Sequence, residues 1–181
     1  MASPKELNKE NILIRELHEK DIQMIVESFA VIGWNKSYEL FNNYLNESTK
    51  GIRKIWLAFF QGNFAGYITL SYQSLYIHFK KKDIPEIMDL NVLPCFRKLG
   101  IGSLLIHTAE KEAAVLHKTV GLGVGLYTGQ DGGYGAAQTL YIKLGYIPDG
   151  QGITYDYIEC IPGQYYRLDD DLVLWLTKEL K

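Results

Sequence analysis

With 19 Lys and Arg against 21 Asp and Glu, the 181-residue chain has a net charge of −2, which gives no argument for a nucleic-acid or polyanion partner. Hydrophobic residues at 47% and charged residues at 22% are the balance of an ordinary globular protein with a sizeable core. Two cysteines, Cys95 and Cys160, with no CxxC or HxxxH beside them, make neither a disulfide framework nor a metal site and suit a reducing compartment. The opening MASPKELNKENILI is polar, and no stretch approaches the roughly 18 apolar residues of a membrane span. These features predict a single cytoplasmic domain over 1–181, with 1–10 a flexible extension and no membrane partner.

In chain order, NILIREL (11–17) reads as a strand. Apolar residues at Ile22, Ile25, Val26 and Phe29 then recur with helical spacing, and SYELFNNYL continues as a second, short helix. KIWLAFF and FAGYITLSY flank Gln61-Gly62-Asn63 as the two strands of a hairpin. His78 and FKKKD read as a solvated loop. EIMDLNVL (86–93) is a strand closed by Pro94, and an apolar stripe from Ile101 to Ala113 marks a helix that carries His107 and His117. TVGLGVGLY (119–127) is strand-like, with a glycine at every second position from 121 to 125. One bare face results, open to a ligand or another backbone. GAAQTLYIKLGY is a short helix with Gly145 as its C-cap, and GITYDYIE and DLVLWLTKEL end the chain as strands. The order is that of an α+β protein, a mixed sheet with helices on its faces.

The junction of strand and helix near residue 97 carries the most chemical information. A helix starting near Leu99 presents orphan N–H groups and the positive end of its dipole. Gly100 and Gly102 lack Cβ atoms, so an anion can approach those groups closely. Arg97 and Lys98 add charge and Ser103 adds a hydroxyl, a set suited to a pyrophosphate. Neither GxxxxGK[ST] nor GxGxxG is present.

The run LNVLPCFRKLGIGSLL resembles the acetyl-CoA-binding motif of the GNAT acetyltransferase superfamily, an Arg or Gln followed by spaced glycines, here Arg97, Gly100 and Gly102. Downstream, GAAQTLYIKLGYIPDG is similar to the family's helix with a tyrosine, Tyr141, four residues before a Gly-aromatic pair, Gly145-Tyr146. The resemblance covers nearly the whole chain. It implies a GNAT fold, with a mostly antiparallel mixed sheet splayed between strands 4 and 5, and acetyl-CoA as co-substrate with no metal. It also implies cofactor contacts from Leu90, Asn91 and Val92, from Arg97, Lys98, Leu99, Gly100, Ile101, Gly102 and Ser103, and from Tyr134, Ala137 and Tyr141. Tyr134 stands where the family often has an asparagine against the pantetheine arm.

For mechanism, the resemblance implies a backbone N–H near Leu90 facing the thioester oxygen, with one wall of the pantetheine slot formed by the bare GLGVG strand. Tyr141 would be the general acid for the departing thiolate. A phenol near pKa 10 and a thiol near 8.5 make full transfer slightly uphill unless the site lowers the tyrosine. Outside that role Tyr141 is a half-buried helix tyrosine. An alkylamine with a pKa of about 10.4 is only ~1 part in 2,500 neutral at pH 7, so a base is expected. Glu86 shares strand parity with Leu90 and Val92 and stands at the spacing of the base in histone-acetylating members; the other reading is a solvated residue after Pro85. Asp89 faces the other way by parity unless a bulge intervenes. Cys95, His107 and His117 carry no assigned chemistry.

Acceptor specificity in the superfamily comes from the region of the first two helices and the loop between the last strands. Here that loop interleaves Asp156, Glu159 and Asp169 to Asp171 with Tyr155, Tyr157, Tyr165 and Tyr166, a set that suits a cation or simply solvates a turn. The leading expectation is direct N-acetylation of a small cationic amine, with a homodimer left open. The alternatives are a non-catalytic acyl-CoA-binding module and an acetyltransferase acting on protein N-termini or lysines.

Overall fold

The β-branched, apolar run Ile12-Leu13-Ile14 opens β1 (Ile12–Glu16), an edge strand that pairs antiparallel with β2 (Arg53–Phe60), from Ile12 opposite Phe60 to Glu16 opposite Trp56. Between them lie α1 (Ile22–Ala30) and α2 (Tyr38–Thr49). Gln61 and Gly62, at φ of 50° and 81°, form the two-residue turn from β2 into β3 (Asn63–Ser71), the conformation of a type I′ hairpin. The structure, a computed structural model, describes residues 11–128 and 133–181. The expected N-terminal extension over 1–10, and residues 129–132 of the glycine-rich stretch before Tyr134, lie outside the described residues.

The chain divides into two compact units, one of residues up to Thr69 with Asp89–Ala109, the other of Leu70–Met88 with Glu110–Lys181. Three elements run from one into the other along the chain: β3, β4 (Glu86–Val92) and α4 (Ile101–Ala113). In the first unit the strand order is β1-β2-β3-β4. Its core gathers Phe29 from α1, Phe41 from α2 and Tyr67 from β3, all at 0% exposure and packed edge to face. Ser37 caps α2 by accepting from the Leu40 N–H at 3.1 Å. Arg15 on β1 grips Asp21 at the start of α1 with two bonds, 2.6 and 2.8 Å.

The second unit contains α3 (Ile77–Lys82), the start of β4, β5 (Thr119–Gly125), α5 (Gly135–Lys143), β6 (Ile147–Tyr155), β7 (Ile158–Glu159) and β8 (Leu172–Glu179). Its strand order is β4-β5-β8-β6-β7. The parallel pairing of β4 with β5 joins Glu86 to Gly121 and Ile87 to Leu122, while β5 runs on to Gly125 along antiparallel β8. The fold is therefore mixed α+β with an eight-stranded sheet, as expected. Among the described residues no helix is long and apolar enough to cross a membrane.

Three local expectations are corrected. The stretch around His78 is a helix, not a solvated loop, because Phe79 is buried against Tyr76 and Trp175, a contact masked in the sequence by Lys80, Lys81 and Lys82. His78 itself meets Glu159 at 2.8 Å. GITYDYIE is not one strand: Asp156 and Tyr157, at φ of 49° and 64°, turn it into the β6–β7 hairpin. His117 lies beyond the end of α4, its ring stacked on Tyr72 at 6.0 Å.

Candidate active site

The glycine turn behaves as its composition requires. Pro94–Phe96 form a single 3-10 turn, and the chain then passes through left-handed Lys98 (φ 63°) and Gly100 (φ 77°) before α4 begins. The first intrahelical bond near the end of that turn runs from the Leu104 N–H to the Gly100 carbonyl at 3.1 Å. The amides of Ile101, Gly102 and Ser103 precede it and have no helical acceptor. A Cβ built on Gly100 meets nothing within 4 Å, so the space beside that residue is open. Arg97 is turned back on its own strand: Nε donates to the Val92 carbonyl at 3.2 Å and the guanidinium sits 5.4 Å over the Trp34 ring. Its charge stays at the turn, but its side chain is partly committed. Residues 97–103 thus bring first-turn amides without helical acceptors and two cations together at the start of α4, a donor set chemically able to accept an anion.

The strand leading into this turn is irregular. Asp89 has φ of 51°, a left-handed residue inside a strand and the conformation of a bulge. The two-residue alternation is interrupted there, so strand parity does not carry from Glu86 to Leu90 and Val92. Period counting could not have located this residue. Beyond it, a Cβ on Gly66 would collide with the Asn91 carbonyl and come within 2.9 Å of the Val92 Cα, so glycine alone lets β3 lie this close to Asn91 and Val92. The Leu93 N–H closes the segment on the Ala65 carbonyl at 2.9 Å. Tyr44 of α2 donates its hydroxyl to Asp89 Oδ2, and Asn91 Nδ2 donates to the Asp89 carbonyl at 3.1 Å.

In the second unit, the tyrosine motif has a structural cause. α5 ends in a Schellman motif: the Tyr146 N–H donates to the Tyr141 carbonyl at 3.0 Å and the Gly145 N–H to the Ile142 carbonyl at 3.0 Å, with Gly145 at φ 90°. The expected glycine C-cap is present, and it fixes the turn of helix that carries Tyr141. Tyr141 is 7% exposed, and among the described residues its hydroxyl makes no hydrogen bond. Burial pushes its pKa up from the ordinary phenol value. The site therefore does not lower this tyrosine, and it keeps its proton through the neutral range. Gln138, which the sequence did not single out, fastens α5 to the end of β5 by donating to the Gly125 carbonyl at 2.8 Å.

The alternating glycines of β5 do not leave a bare face. A Cβ at Gly121 would enter the Phe79 ring, and one at Gly125 the Tyr134 ring. At Gly123 it would meet Val173 Cγ1 at 2.7 Å and Trp175 Cζ3 at 3.1 Å. What approaches the strand is the protein's own side chains, so the expectation of an open wall is corrected. Tyr134 packs on Gly125 and donates its hydroxyl to Asp170 at 3.0 Å, as does Tyr127 at 2.7 Å. Ala137 lies one turn before Tyr141 on α5.

Glu86 is 3% exposed and accepts from the Ser74 hydroxyl at 2.5 Å, which places it inside the fold and not at a solvated strand end. The acidic C-terminal loop is also more engaged than its sequence implies. Asp169 accepts from Tyr155 at 3.0 Å and pairs with Arg167 at 3.2 Å; Asp170 holds Tyr127 and Tyr134, and Glu159 holds His78. Among the described residues no group of His, Cys, Asp and Glu could hold a metal ion.

Against this geometry the comparisons are consistent. Residues 51–148, more than half of the chain, match a family model described as an acetyltransferase (GNAT) domain. A search of the curated proteins finds no match. Among solved structures, the Salmonella typhimurium protein yncA with its cofactor acetyl-CoA is similar at 18% identity and a TM-score of 0.64, over 94% of this chain and 95% of that one. An N-acetyltransferase from Staphylococcus aureus Mu50 gives 18% identity and 0.68 over 94% and 99%. A spermidine N-acetyltransferase SpeG chimera from Vibrio cholerae and hSSAT gives 16% and 0.66 over 94% and 96%. The structural likenesses carry the fold, and the family model carries the descent: the chain belongs to the GNAT acetyltransferase family.

Proposed function

We propose that this chain is an acetyl-CoA-dependent N-acetyltransferase, a single cytoplasmic GNAT domain that transfers the acetyl group directly to a small cationic amine. The observation that carries the reading is the glycine turn at the start of α4, where Gly100 is left-handed at φ 77°, a Cβ on it would meet nothing within 4 Å, and the first amides of the helix have no helical acceptor. Acetyl-CoA, when bound, supplies an acyl group activated as a thioester.

The residues then take the following roles. The amides and cations of 97–103 hold the pyrophosphate, and Leu90, Asn91 and Val92 offer backbone groups to the pantetheine and the acetyl carbonyl. A backbone N–H at Leu90, directly after the left-handed Asp89, is the oxyanion donor; one such donor is typically worth about 3 kcal/mol in the transition state. Tyr141 holds its proton and offers it to the sulfur as negative charge develops there. Because burial raises this tyrosine, a hydrogen bond that strengthens in the transition state serves better than complete transfer. Glu86 receives the proton lost by the acceptor nitrogen, by way of water. Ala137 and Tyr134 border the cofactor from α5.

Titration calorimetry with coenzyme A and with acetyl-CoA, followed by thiol release across a panel of amines and peptides, tests this reading. Binding with thiol release on small amines supports it. Binding without release on any acceptor replaces it with a non-catalytic acyl-CoA module, release on peptides alone replaces it with a protein acetyltransferase, and no binding ends it.

A further inference from the structure

Helix α5 carries Tyr141, yet little apolar packing fixes it. Among its described residues only Tyr141 is buried, and Ile142 faces solvent at 57% exposure. The position of the helix therefore depends on how its ends are tied. The C-terminal end is closed by the Schellman motif at Gly145. The N-terminal end is tied through Tyr134, the residue before the helix. Its N–H donates to the Tyr127 carbonyl at 2.9 Å, its ring covers Gly125, and its hydroxyl reaches Asp170 Oδ1 at 3.0 Å. Tyr127 donates to the same Oδ1 at 2.7 Å, and the two tyrosine rings meet edge to face at 5.4 Å. One carboxylate oxygen thus collects both phenols. The bond to Asp170 raises the pKa of Tyr127, and burial, then the charge of Asp170, raises that of Tyr134, so both hydroxyls remain donors. Asp170 has its own support. Asp169 accepts from Tyr155 at 3.0 Å and from the Asp171 N–H at 3.2 Å, and β8 starts at Leu172, with Val173 opposite Gly125.

We propose that Asp170 is a positioning residue: by receiving Tyr127 and Tyr134 on one oxygen it fixes the start of α5, and through the helix the phenol of Tyr141. This deepens the acetyltransferase reading, and rests on it for the step that Tyr141 serves. Tyr141 lies about two turns beyond Tyr134 on the same helix, so freedom at the start of α5 is transmitted as tilt and rotation of its phenol. A general acid works only within hydrogen-bond reach of the atom it serves, and small misplacements are costly. What Asp170 supplies in this role is an acceptor atom, not a charge. The side-chain oxygen of an asparagine would receive the same two hydroxyls. A carboxylate that held a cationic substrate would need its charge instead. That difference separates positioning from substrate binding.

The test compares the full chain with Asp170→Ala, Asp170→Asn and Tyr127→Phe. Amide hydrogen exchange is followed by NMR without acetyl-CoA, and kcat and KM are measured by thiol release with the fastest amine of the panel. The amides to watch are those of Tyr134, bonded to the Tyr127 carbonyl, and Gln138, bonded to the Tyr134 carbonyl. In Asp170→Ala both should exchange roughly tenfold faster, the loss of hydrogen bonds to a charged group, while the β5–β8 ladder keeps its protection. In the same variant kcat should fall roughly tenfold, with the amine KM within about twofold of wild type. Asp170→Asn should match wild type in both measurements, and Tyr127→Phe should lie between wild type and Asp170→Ala. Unchanged exchange in Asp170→Ala, or equal acceleration in the β5–β8 ladder, overturns the proposal. So does a wild-type kcat in Asp170→Ala, or an Asp170→Asn as impaired as Asp170→Ala, which would make the charge the working part. Faster exchange confined to the start of α5, in a chain whose wild type releases no thiol with any acceptor, supports the tie and overturns the transferase reading alone.

Discussion

Tyr141 and Tyr146 are tied to each other twice, by the 3.0 Å backbone bond that closes α5 and by an edge contact between their rings at a centroid distance of 6.0 Å. Both follow from the Schellman geometry, in which the residue after the left-handed glycine returns to the last full turn of helix. Tyr146 is in turn held by Lys178, whose Nζ lies 5.6 Å over its ring and 2.8 Å from Glu110. The spacing of tyrosine, three residues, glycine and aromatic is therefore a device for immobilising the Tyr141 ring with its hydroxyl left unengaged.

Tyr141→Phe keeps that ring contact and removes only the hydroxyl. We expect turnover to fall by roughly 100-fold, the lower end of general-acid effects, with coenzyme A affinity nearly unchanged. Because burial raises the tyrosine above its usual value of 10.0, the wild-type rate should show no alkaline decline due to this group below pH 10.0. Steady-state kinetics across pH with calorimetry alongside checks both points. Wild-type turnover in the variant would remove the role.

Gly100 separates two effects that are usually confounded. Its φ of 77° makes any side chain strained, yet a Cβ there enters open space. Gly100→Ala should lower folding stability by about 1–2 kcal/mol, the left-handed penalty, and weaken coenzyme A modestly. Gly100→Asp carries the same strain plus a charge at the proposed diphosphate position, and coenzyme A affinity should fall at least about tenfold further. Urea melts and calorimetry on the two variants read the terms independently, and equal affinities would place the diphosphate elsewhere.

The sequence was most informative where local rules act alone. The Gly145 cap and the Gln61-Gly62 hairpin each follow from a glycine at a left-handed position, and the helix expected near Leu99 begins at Ile101, just after left-handed Gly100. It was least informative where a distant partner decides. Alternating glycines in β5 signal that something lies close, but only the fold says that Phe79, Trp175 and Tyr134 do. Likewise no periodicity marks Asp89 as left-handed, and nothing local links Tyr44 to a carboxylate 45 residues away. The acidic loop shows the same dependence, since the bonds from Tyr127 and Tyr134 to Asp170 and from Tyr155 to Asp169 join residues far apart in the chain.

Gly121→Ala tests the filled face. Its methyl group would enter the Phe79 ring, which is itself 1% exposed and packed on Trp175 at a centroid distance of 5.4 Å, so the ring has little room to withdraw. Overpacking of this kind costs about 1–3 kcal/mol. Combining it with Phe79→Leu should cost less than the sum of the two single changes, because the shorter side chain admits the methyl group. Chemical denaturation of the four proteins measures the coupling. Strict additivity would mean that the glycine is not there for the ring.

The last prediction concerns acid stability at the Arg15–Asp21 pair. Two hydrogen bonds from Arg15, opposed by burial and aided by the His18 amide, hold the Asp21 carboxyl below its ordinary value of 3.8. A carboxylate with a depressed folded pKa contributes stability that is complete above its unfolded pKa and is lost as pH falls through the folded value. Asp21→Asn removes the charge and should cost about 2 kcal/mol near neutral pH, the scale of hydrogen bonds to charged groups in a part-buried setting. As the solution is acidified below about pH 4, the wild type loses the same contribution and the gap between the two proteins should close. Urea titrations at neutral and acid pH follow that gap directly. A difference that stayed constant into acid would mean that the amide side chain is disfavoured for its shape, and that the ion pair with Arg15 contributes nothing to holding β1 against the start of α1.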